Sequence, residues 1–524
     1  MISHINTVKI NGIEPVTVTC ECEVTAGIGL HLVGLADNYV RESLLRTVTA
    51  MQALGYRIPG KKLVINLAPA DLHKSGTGFD LPIAVSMIAA TGQAGLPQQI
   101  NCFAVGELGL DGSLRAIDGA VQACLAAIND NQAIIIPEQN AGEVAEIFGP
   151  KAKIYPVSNL QEAIETIIDH DGKPTAWDKA MQEVDHPTDD PPVKPLFQEK
   201  DFPAWNLIKG IPGARRLVEI AAAGRHDILL MGNPGTGKTT VARALLEVLP
   251  QMTENEILQV AKIYSAAGLY DSRTDIRQRP FRAPHYAASL SALFGGGAGP
   301  GIRPGEFCLA HNGVLFFNDL ACAPKSVQEA MRAPMEDRQI TISRLRGRYT
   351  FPTDPQFVFA TNPCPCGYYG EADRCTCTPS QRAAYLARLS APLLDRIDIQ
   401  MWVHSEQPDK KTLLAEDAPE DLIENVRARI QQAREVQSKR FNNAGIRYNS
   451  EMSAVMAGRF CTLSEPCTKL IGDIIQRLGL SARAYTRILK IARTIADLDN
   501  KEDILPSHIA EAASYRFLDR NINE

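Results

Sequence analysis

Apolar residues along this chain change their period three times, and each change marks a different kind of element. Near the amino terminus, VTVTCECEV and LVINL alternate apolar and polar positions, which predicts strands with one buried face. Residues 39–54 instead carry apolar side chains at helical spacing. An α/β or α+β unit follows for residues 1–168. Residues 169–203 break the pattern: HDGKPTAWDK and DHPTDDPPVKP are rich in Pro and Asp and poor in periodic apolar positions, so the stretch reads as a linker. Beyond it, a helix predicted to end near Gly224 is followed by DILLM, a glycine-rich turn, a second helix, and the continuous apolar runs VLFF and FVFAT. Unbroken apolar strands between helices predict an α/β core, residues 204–407, whose parallel sheet is covered on both faces. From about Pro408 to residue 524 apolar positions recur at helical spacing, as in IIQRLGLSARAYTRILKIARTIADL, and predict a helical domain.

Three units suit 524 residues at roughly 150 per domain. With 45% hydrophobic and 22% charged residues each unit can bury a core, which excludes disordered and collagen-like classes. No apolar run approaches the roughly 18 residues of a membrane span, and MISHINTVKI lacks the parts of a signal peptide. A cytoplasmic protein without membrane contact is expected. The 60 acidic and 54 basic residues leave a net charge of −6, which neither requires nor forbids nucleic acid, because phosphate binding depends on where Lys and Arg collect. Twelve cysteines are too sparse for a disulfide scaffold and are expected as thiols unless a metal gathers them.

The first chemical signal is GNPGTGKT, directly after one predicted strand and before a predicted helix. Gly232, Asn233, Pro234, Gly235, Thr236, Gly237, Lys238, Thr239 and Thr240 form a phosphate cradle: backbone amides turn inward, the helix terminus adds positive potential, Lys238 reaches the β and γ oxygens, and the Thr239 hydroxyl ligates Mg²⁺. ATP with Mg²⁺ is the expected ligand. A second strand, GVLFFNDL, ends in polar residues at the edge facing the metal. P-loop ATPases usually carry Asp then Glu there, whereas this chain has Asn318 and Asp319. Asn318 brings no negative charge, and Asp319 is one methylene short of Glu. Two outcomes stay open: slow hydrolysis, or a nucleotide-controlled switch in which Asp319 serves Mg²⁺ alone.

Positive charge concentrates in two segments. Residues 338–353 hold Arg338, Arg344, Arg346 and Arg348 with no acid, and ITISRLRGRYTF reads as a hairpin with its arginines alternating on one face. Residues 273–282 hold Arg273, Arg277, Arg279 and Arg282, with the glycine-rich LFGGGAGPG shortly after. Arg344, Arg346, Arg348, Arg279 and Arg282 are the expected sequence-independent contacts to DNA phosphates; intersubunit ion pairs are the plainer alternative. Cys364, Cys366, Cys375 and Cys377 form two C-x-C pairs eight residues apart, a set able to enclose structural Zn²⁺, with free thiols as the alternative. Cys20 and Cys22 alternate on a strand and are expected in the core.

These motifs, with GLHLVGLADNYVRES, INLAPADLHKSGTGFDLPIA, GELGLDGSLR, RPFRAPH, HNGVLFFNDL, ATNPCPCG, LLDRID and LSARAYTRILKIARTIADL, make the chain resemble the magnesium-chelatase-like branch of AAA+ ATPases from end to end. The resemblance implies an amino-terminal domain of the ribosomal S5 and Lon-protease type, an AAA+ core and a helical lid. It further implies a hexameric ring that drives branch migration of DNA during natural transformation and recombination. By that resemblance Asn362 is the sensor aligning the attacking water, Arg396 the arginine finger, and Arg483 the lid sensor, with Arg487 competing for that role. Asp319 completes the catalytic set. Asn318 and Asp319 depart from the family pattern, as does Tyr286 where a second His is common after RPFRAPH. Lys74 and Ser75 are adjacent and are not expected to act as a peptidase dyad. Besides a DNA translocase, two further classes fit: a chelatase-type protein-remodelling chaperone, and a nucleotide-gated DNA-binding ring with weak hydrolysis.

Overall fold

The computed structural model describes residues 2–74, 76, 78–170, 203–270, 275–297, 302–344, 347–371, 373–404 and 422–518. Most of the predicted linker falls outside them. The alternating segments near the amino terminus pair into a seven-stranded sheet in the order Gly29–Val33, Lys62–Ala68, Glu14–Thr25, Ile2–Asn11, Gln99–Ala104, Ala133–Pro137, Ile154–Val157. Glu14–Thr25 runs antiparallel to both its neighbours, and the other pairings are parallel. Period-two alternation puts Val18, Cys20 and Cys22 inside, all fully buried, and burial pushes both thiols up to about 12. The predicted helix spans Asn38–Ala53 and starts at Asp37, whose carboxylate accepts from the Val40 amide. Lys74 is buried and donates to the Pro69 carbonyl; Ser75 lies outside the described residues.

The second unit holds a five-stranded, wholly parallel sheet in the order Phe281–Arg282, Val314–Phe317, Gln356–Thr361, Ile228–Gly232, Ile399–Val403. Ile228, Leu229, Leu230 and Met231 are all fully buried, as expected of a strand covered on both faces. The helix Lys238–Val248 closes one face with Val241, Leu245 and Val248, each worth about 1.5–3 kcal/mol on burial. Register decides what gathers at the sheet's carboxyl edge. Met231 is level with Thr361, and Phe317 with Phe359, so Gly232, Asn362 and Asn318–Asp319 all emerge at the same rim.

The carboxyl-terminal third is helical: Ile423–Arg440, Ala454–Phe460, Glu465–Leu478, Ala482–Leu498 and Pro506–Ser514. Ser481 caps the helix Ala482–Leu498 by accepting from the Ala484 amide, and the face bearing Ile488, Ile491, Ala492 and Ile495 is buried. The chain then returns to the core: the Gln400 amide donates to Tyr515 O at 2.8 Å and Arg516 Nη1 to Ile397 O at 2.6 Å. The amino-terminal unit docks on the core through the helices Ala120–Asn129 and Glu254–Ala267, where Gln122 Nε2 donates to Lys262 O at 2.7 Å. Among the described residues no helix is long and apolar enough to cross a membrane.

Candidate nucleotide site

The turn after Ile228–Gly232 follows from its glycines. Gly235 and Gly237 sit at φ +78° and +89°, which L side chains rarely adopt. A Cβ on Gly237 would come within 2.7 Å of Ile211, whereas one on Gly235 would meet nothing, so the concave side stays open. Lys238 begins the following helix, and its ammonium donates to Gly232 O at 2.7 Å, Asn233 O at 2.9 Å and Asn362 Oδ1 at 3.3 Å. Burial lowers its pKa to about 8, with Asp319 pulling the other way. A desolvated cation at a helix N-terminus, beside an open glycine turn, is what a triphosphate would neutralise, so the residues fit Mg²⁺·ATP. Thr239 is exposed in the first helical turn, where its hydroxyl would ligate Mg²⁺, and Thr236 Oγ1 closes the turn on Asn233 O at 2.9 Å.

Asp319 stands opposite Lys238. Its Oδ1 accepts from Asn362 Nδ2 at 3.3 Å and its Oδ2 from Asn318 Nδ2 at 3.0 Å. Its φ of +54° is left-handed, an uncommon conformation that aims this short side chain. Lys238, Asp319, Asn318 and Asn362 therefore share one polar cluster. Sequence reasoning missed one member of the neighbourhood: Glu371, whose Oε1 accepts from Asn233 Nδ2 at 2.7 Å. The only signal was that two acids, Glu371 and Asp373, lie between the two C-x-C pairs.

The candidate arginines lie elsewhere. Arg487 donates to Asp398 Oδ1 at 2.6 Å, and Asp398 directly precedes the strand Ile399–Val403. Ile399 is level with Ile228, so this pair sits at the amino edge of the sheet, a five-residue strand or about 16 Å from the cradle rim. Arg483 donates to Asp395 at 3.0 Å, and Arg396 bonds Pro392 O at 2.5 Å and the Glu336 carboxylate. All three belong to the face away from the chain's own phosphate loop.

The basic segments divide in the same way. Arg279 is enclosed, donating to Pro250 O and Asn312 O at 2.6 Å and to Glu256 at 3.2 Å. Arg282 is held bidentately by Glu306 at 2.6 and 2.7 Å. Folding uses both guanidinium groups, so neither presents a free fork to phosphate. The strands Gln339–Arg344 and Gly347–Pro352 do form the predicted antiparallel hairpin. Its arginines, however, do not share a face. Arg344 pairs with Gly347 and Ser343 with Arg348, so Arg344 and Arg348 point to opposite sides, because the side-chain alternation resumes on the return strand. Both are exposed and have no ion-pair partner among the described residues; Arg346 lies outside these.

The four cysteines converge. Their sulfurs all lie within 4.8 Å of one another, with Cys364 buried and the other three half-buried. This cluster can hold a metal ion.

Comparison with known proteins agrees with this architecture. The family described as "Magnesium chelatase, subunit ChlI" matches residues 204–411, "Subunit ChlI of Mg-chelatase" residues 20–140, and "Magnesium chelatase, subunit ChlI C-terminal" residues 422–516. "Uncharacterized protein YifB" of Escherichia coli (strain K12) is 38% identical over 523 residues, covering 99% of this chain and 98% of that one. "Competence protein ComM" of Haemophilus influenzae is 36% identical over 510 residues, covering 97% and 96% respectively. With that identity sustained from end to end, the chain belongs to the YifB/ComM type of magnesium-chelatase-like AAA+ proteins.

Proposed function

We propose that this protein is an ATP-driven DNA motor that promotes branch migration during uptake and recombination of DNA. Three things support the reading: the buried Lys238 facing Asp319 and Asn362, the exposed Arg344 and Arg348, and full-length similarity to a relative named a competence protein. The single observation that carries it is that hairpin. Exposed arginines with no ion-pair partner among the described residues, on the two sides of one strand pair, suit a strand of phosphates passing in any sequence.

Mg²⁺·ATP supplies the phosphoryl group whose transfer drives the motion. Lys238 and the cradle amides would hold its phosphates, Asp319 and Thr239 would face the metal, and Asn362 would orient water. Arg396, with Arg483 or Arg487, acts on the nucleotide of the adjoining subunit, which makes turnover depend on a hexameric ring. Zn²⁺ is the ion of the four thiols. Asn318 favours a second reading, a DNA-binding ring gated by nucleotide with weak hydrolysis, because one of the two usual carboxylates is missing. Phosphate release measured with and without forked DNA separates these classes. The motor requires stimulation by DNA; no stimulation, with DNA bound, leaves the gated ring, and no DNA binding at low salt ends both.

A further inference from the structure

We infer that one Zn²⁺ held by Cys364, Cys366, Cys375 and Cys377 clamps the phosphate loop, so that zinc and nucleotide bind with positive coupling. The coupling rests on the ATP reading above; the metal site does not.

The sulfurs are set for a tetrahedral ion. With Zn–S bonds of about 2.3 Å, tetrahedral ligands stand about 3.8 Å apart. The observed separations are 3.4 Å for Cys364–Cys366, 3.7 Å for Cys366–Cys375 and 3.9 Å for Cys364–Cys375. These are far too long for disulfides, at about 2.05 Å. Four thiolates around Zn²⁺ carry a net charge of −2, and two cations belong to the same stretch of chain, Arg374 next to Cys375 and Arg382 five residues after Cys377. Arg374 lies 4.0 Å over the Tyr368 ring and Arg382 3.5 Å over Tyr369. The loop runs from the end of the strand Gln356–Thr361 to the helix Pro379–Leu386 with no regular element among its described residues, the situation in which a metal replaces a core.

What this loop touches gives the site its consequence. Glu371 bridges the two parts: Oε1 accepts from Asn233 Nδ2 at 2.7 Å, Oε2 accepts from Arg374 at 3.1 Å, and its backbone carbonyl accepts from the Cys375 amide at 2.9 Å. Gly367, next to Cys366, lies so close to the cradle that a Cβ on it would stand 2.8 Å from Pro234 Cδ. Asn233 in turn offers its carbonyl to Lys238. From the other end, Asn362 is two residues before Cys364 and bonds both Lys238 and Asp319. Fixing the sulfurs therefore fixes the Asn233 carbonyl, the lysine it orients and the water-aligning amide. Without the ion, ordering of the loop falls to the cradle itself. Coupling between two ligands is reciprocal, so whatever factor zinc contributes to nucleotide affinity, nucleotide contributes to zinc.

The test uses the full chain, stripped with a chelator and titrated with Zn²⁺ alone. Bound zinc is measured by elemental analysis, and affinity for a fluorescent ATP analogue is measured in the stripped and loaded states. We expect one zinc per chain and nucleotide binding tighter by about fivefold or more in the loaded protein. Glu371→Ala keeps all four thiols, so it decides the matter even where cysteine variants fail to fold. It should still take one zinc, with most of the zinc effect on nucleotide lost. Failure to retain zinc overturns the site. Zinc bound with unchanged nucleotide affinity, or a full zinc effect in the Glu371→Ala protein, overturns the clamp. Loaded protein that binds no nucleotide at all instead overturns the ATP reading on which the coupling rests.

Discussion

Asn362 reaches across the mouth of the cradle to Asp319, with Nδ2 donating to Oδ1 at 3.3 Å, while its own Oδ1 accepts from Lys238. One amide thus connects the buried cation of the cradle with the carboxylate proposed to face metal and water. Asp319→Asn keeps the size of the side chain and removes its charge. Phosphate release should fall by about 10²-fold or more while binding of a fluorescent ATP analogue persists. Parallel loss of both would show that Asp319 serves only to build the cradle.

Asn318→Asp should act in the opposite direction. The amide now donates to Asp319 Oδ2 at 3.0 Å, which fixes that carboxylate without adding charge. A second carboxylate at this rim strengthens the hold on Mg²⁺, and turnover should rise severalfold when measured at limiting Mg²⁺. An unchanged Mg²⁺ dependence would remove Asn318 from the metal's surroundings.

Lys238 gives a pH signature. Burial lowers its pKa to about 8, so the empty cradle loses its proton as pH rises through that value, whereas bound triphosphate favours the charged form. Nucleotide binding should therefore take up a proton above pH 8, and affinity should fall as pH rises from 8 towards 10. Calorimetric titrations in buffers of different ionisation enthalpy read this uptake. For stability the sign is opposite: between pH 8 and the unfolded lysine value near 10.4 the unfolded chain binds more protons, so this group alone makes the empty protein more stable as pH rises.

Asp398 ties lid to core. It accepts from Arg487 at 2.6 Å and meets His226 Nδ1 at 2.9 Å, while His226 Nε2 meets Thr494 Oγ1 at 2.8 Å on the lid helix. Although burial opposes ionisation, the His226 hydrogen bond and the Arg487 charge hold its carboxyl well below the usual range. Its stabilisation is present above the unfolded value of about 3.9 and is lost as pH falls through the folded one. Buried Asp227, pushed up to about 7 by desolvation and by Asp398, works the other way, its contribution declining as pH rises from about 4 to 7. Asp398→Ala strands the half-buried Arg487 and the buried His226 and should cost about 3 kcal/mol at neutral pH, read from the denaturant midpoint of the core and lid. A loss under 1 kcal/mol would show that the pair is solvated.

Much of this was legible in the chain before folding. GNPGTGKT, VLFF and FVFAT declare themselves by composition and context, and parallel register then brings Asn362 and Asp319 to the same rim as Lys238. What stayed hidden depends on long-range pairing. Glu371 has no motif; it reaches Asn233 only because the cysteine loop folds back on the cradle. Arg279 and Arg282 looked like a basic patch because their partners, Glu256 and Glu306, are 23 and 24 residues away in sequence. The spacing of Arg344 and Arg348 suggested one face because the pairing register, and hence the position of the turn, could not be read from the arginines alone.

That register shapes the last prediction. Arg344 leaves the hairpin on the side of Ile340 and Ile342, where a Cβ on Gly296 would stand 3.9 Å from its guanidinium, and Arg348 leaves it on the side of Thr341 and Thr350. Two arginines on opposite faces cannot both grip one straight stretch of backbone from the same side. A polynucleotide wrapping the hairpin meets both, whereas one passing along a single face meets one. Each neutralised duplex phosphate contributes about 0.9 to the slope of log affinity against log salt. If both arginines contact DNA, Arg344→Ala and Arg348→Ala should each lower that slope by about 0.9, and the double variant by about 1.8, in anisotropy titrations with ATP analogue present. One arginine carrying the whole effect would mean DNA passes on that face alone, and an unchanged slope in the double variant would remove the hairpin from the DNA path.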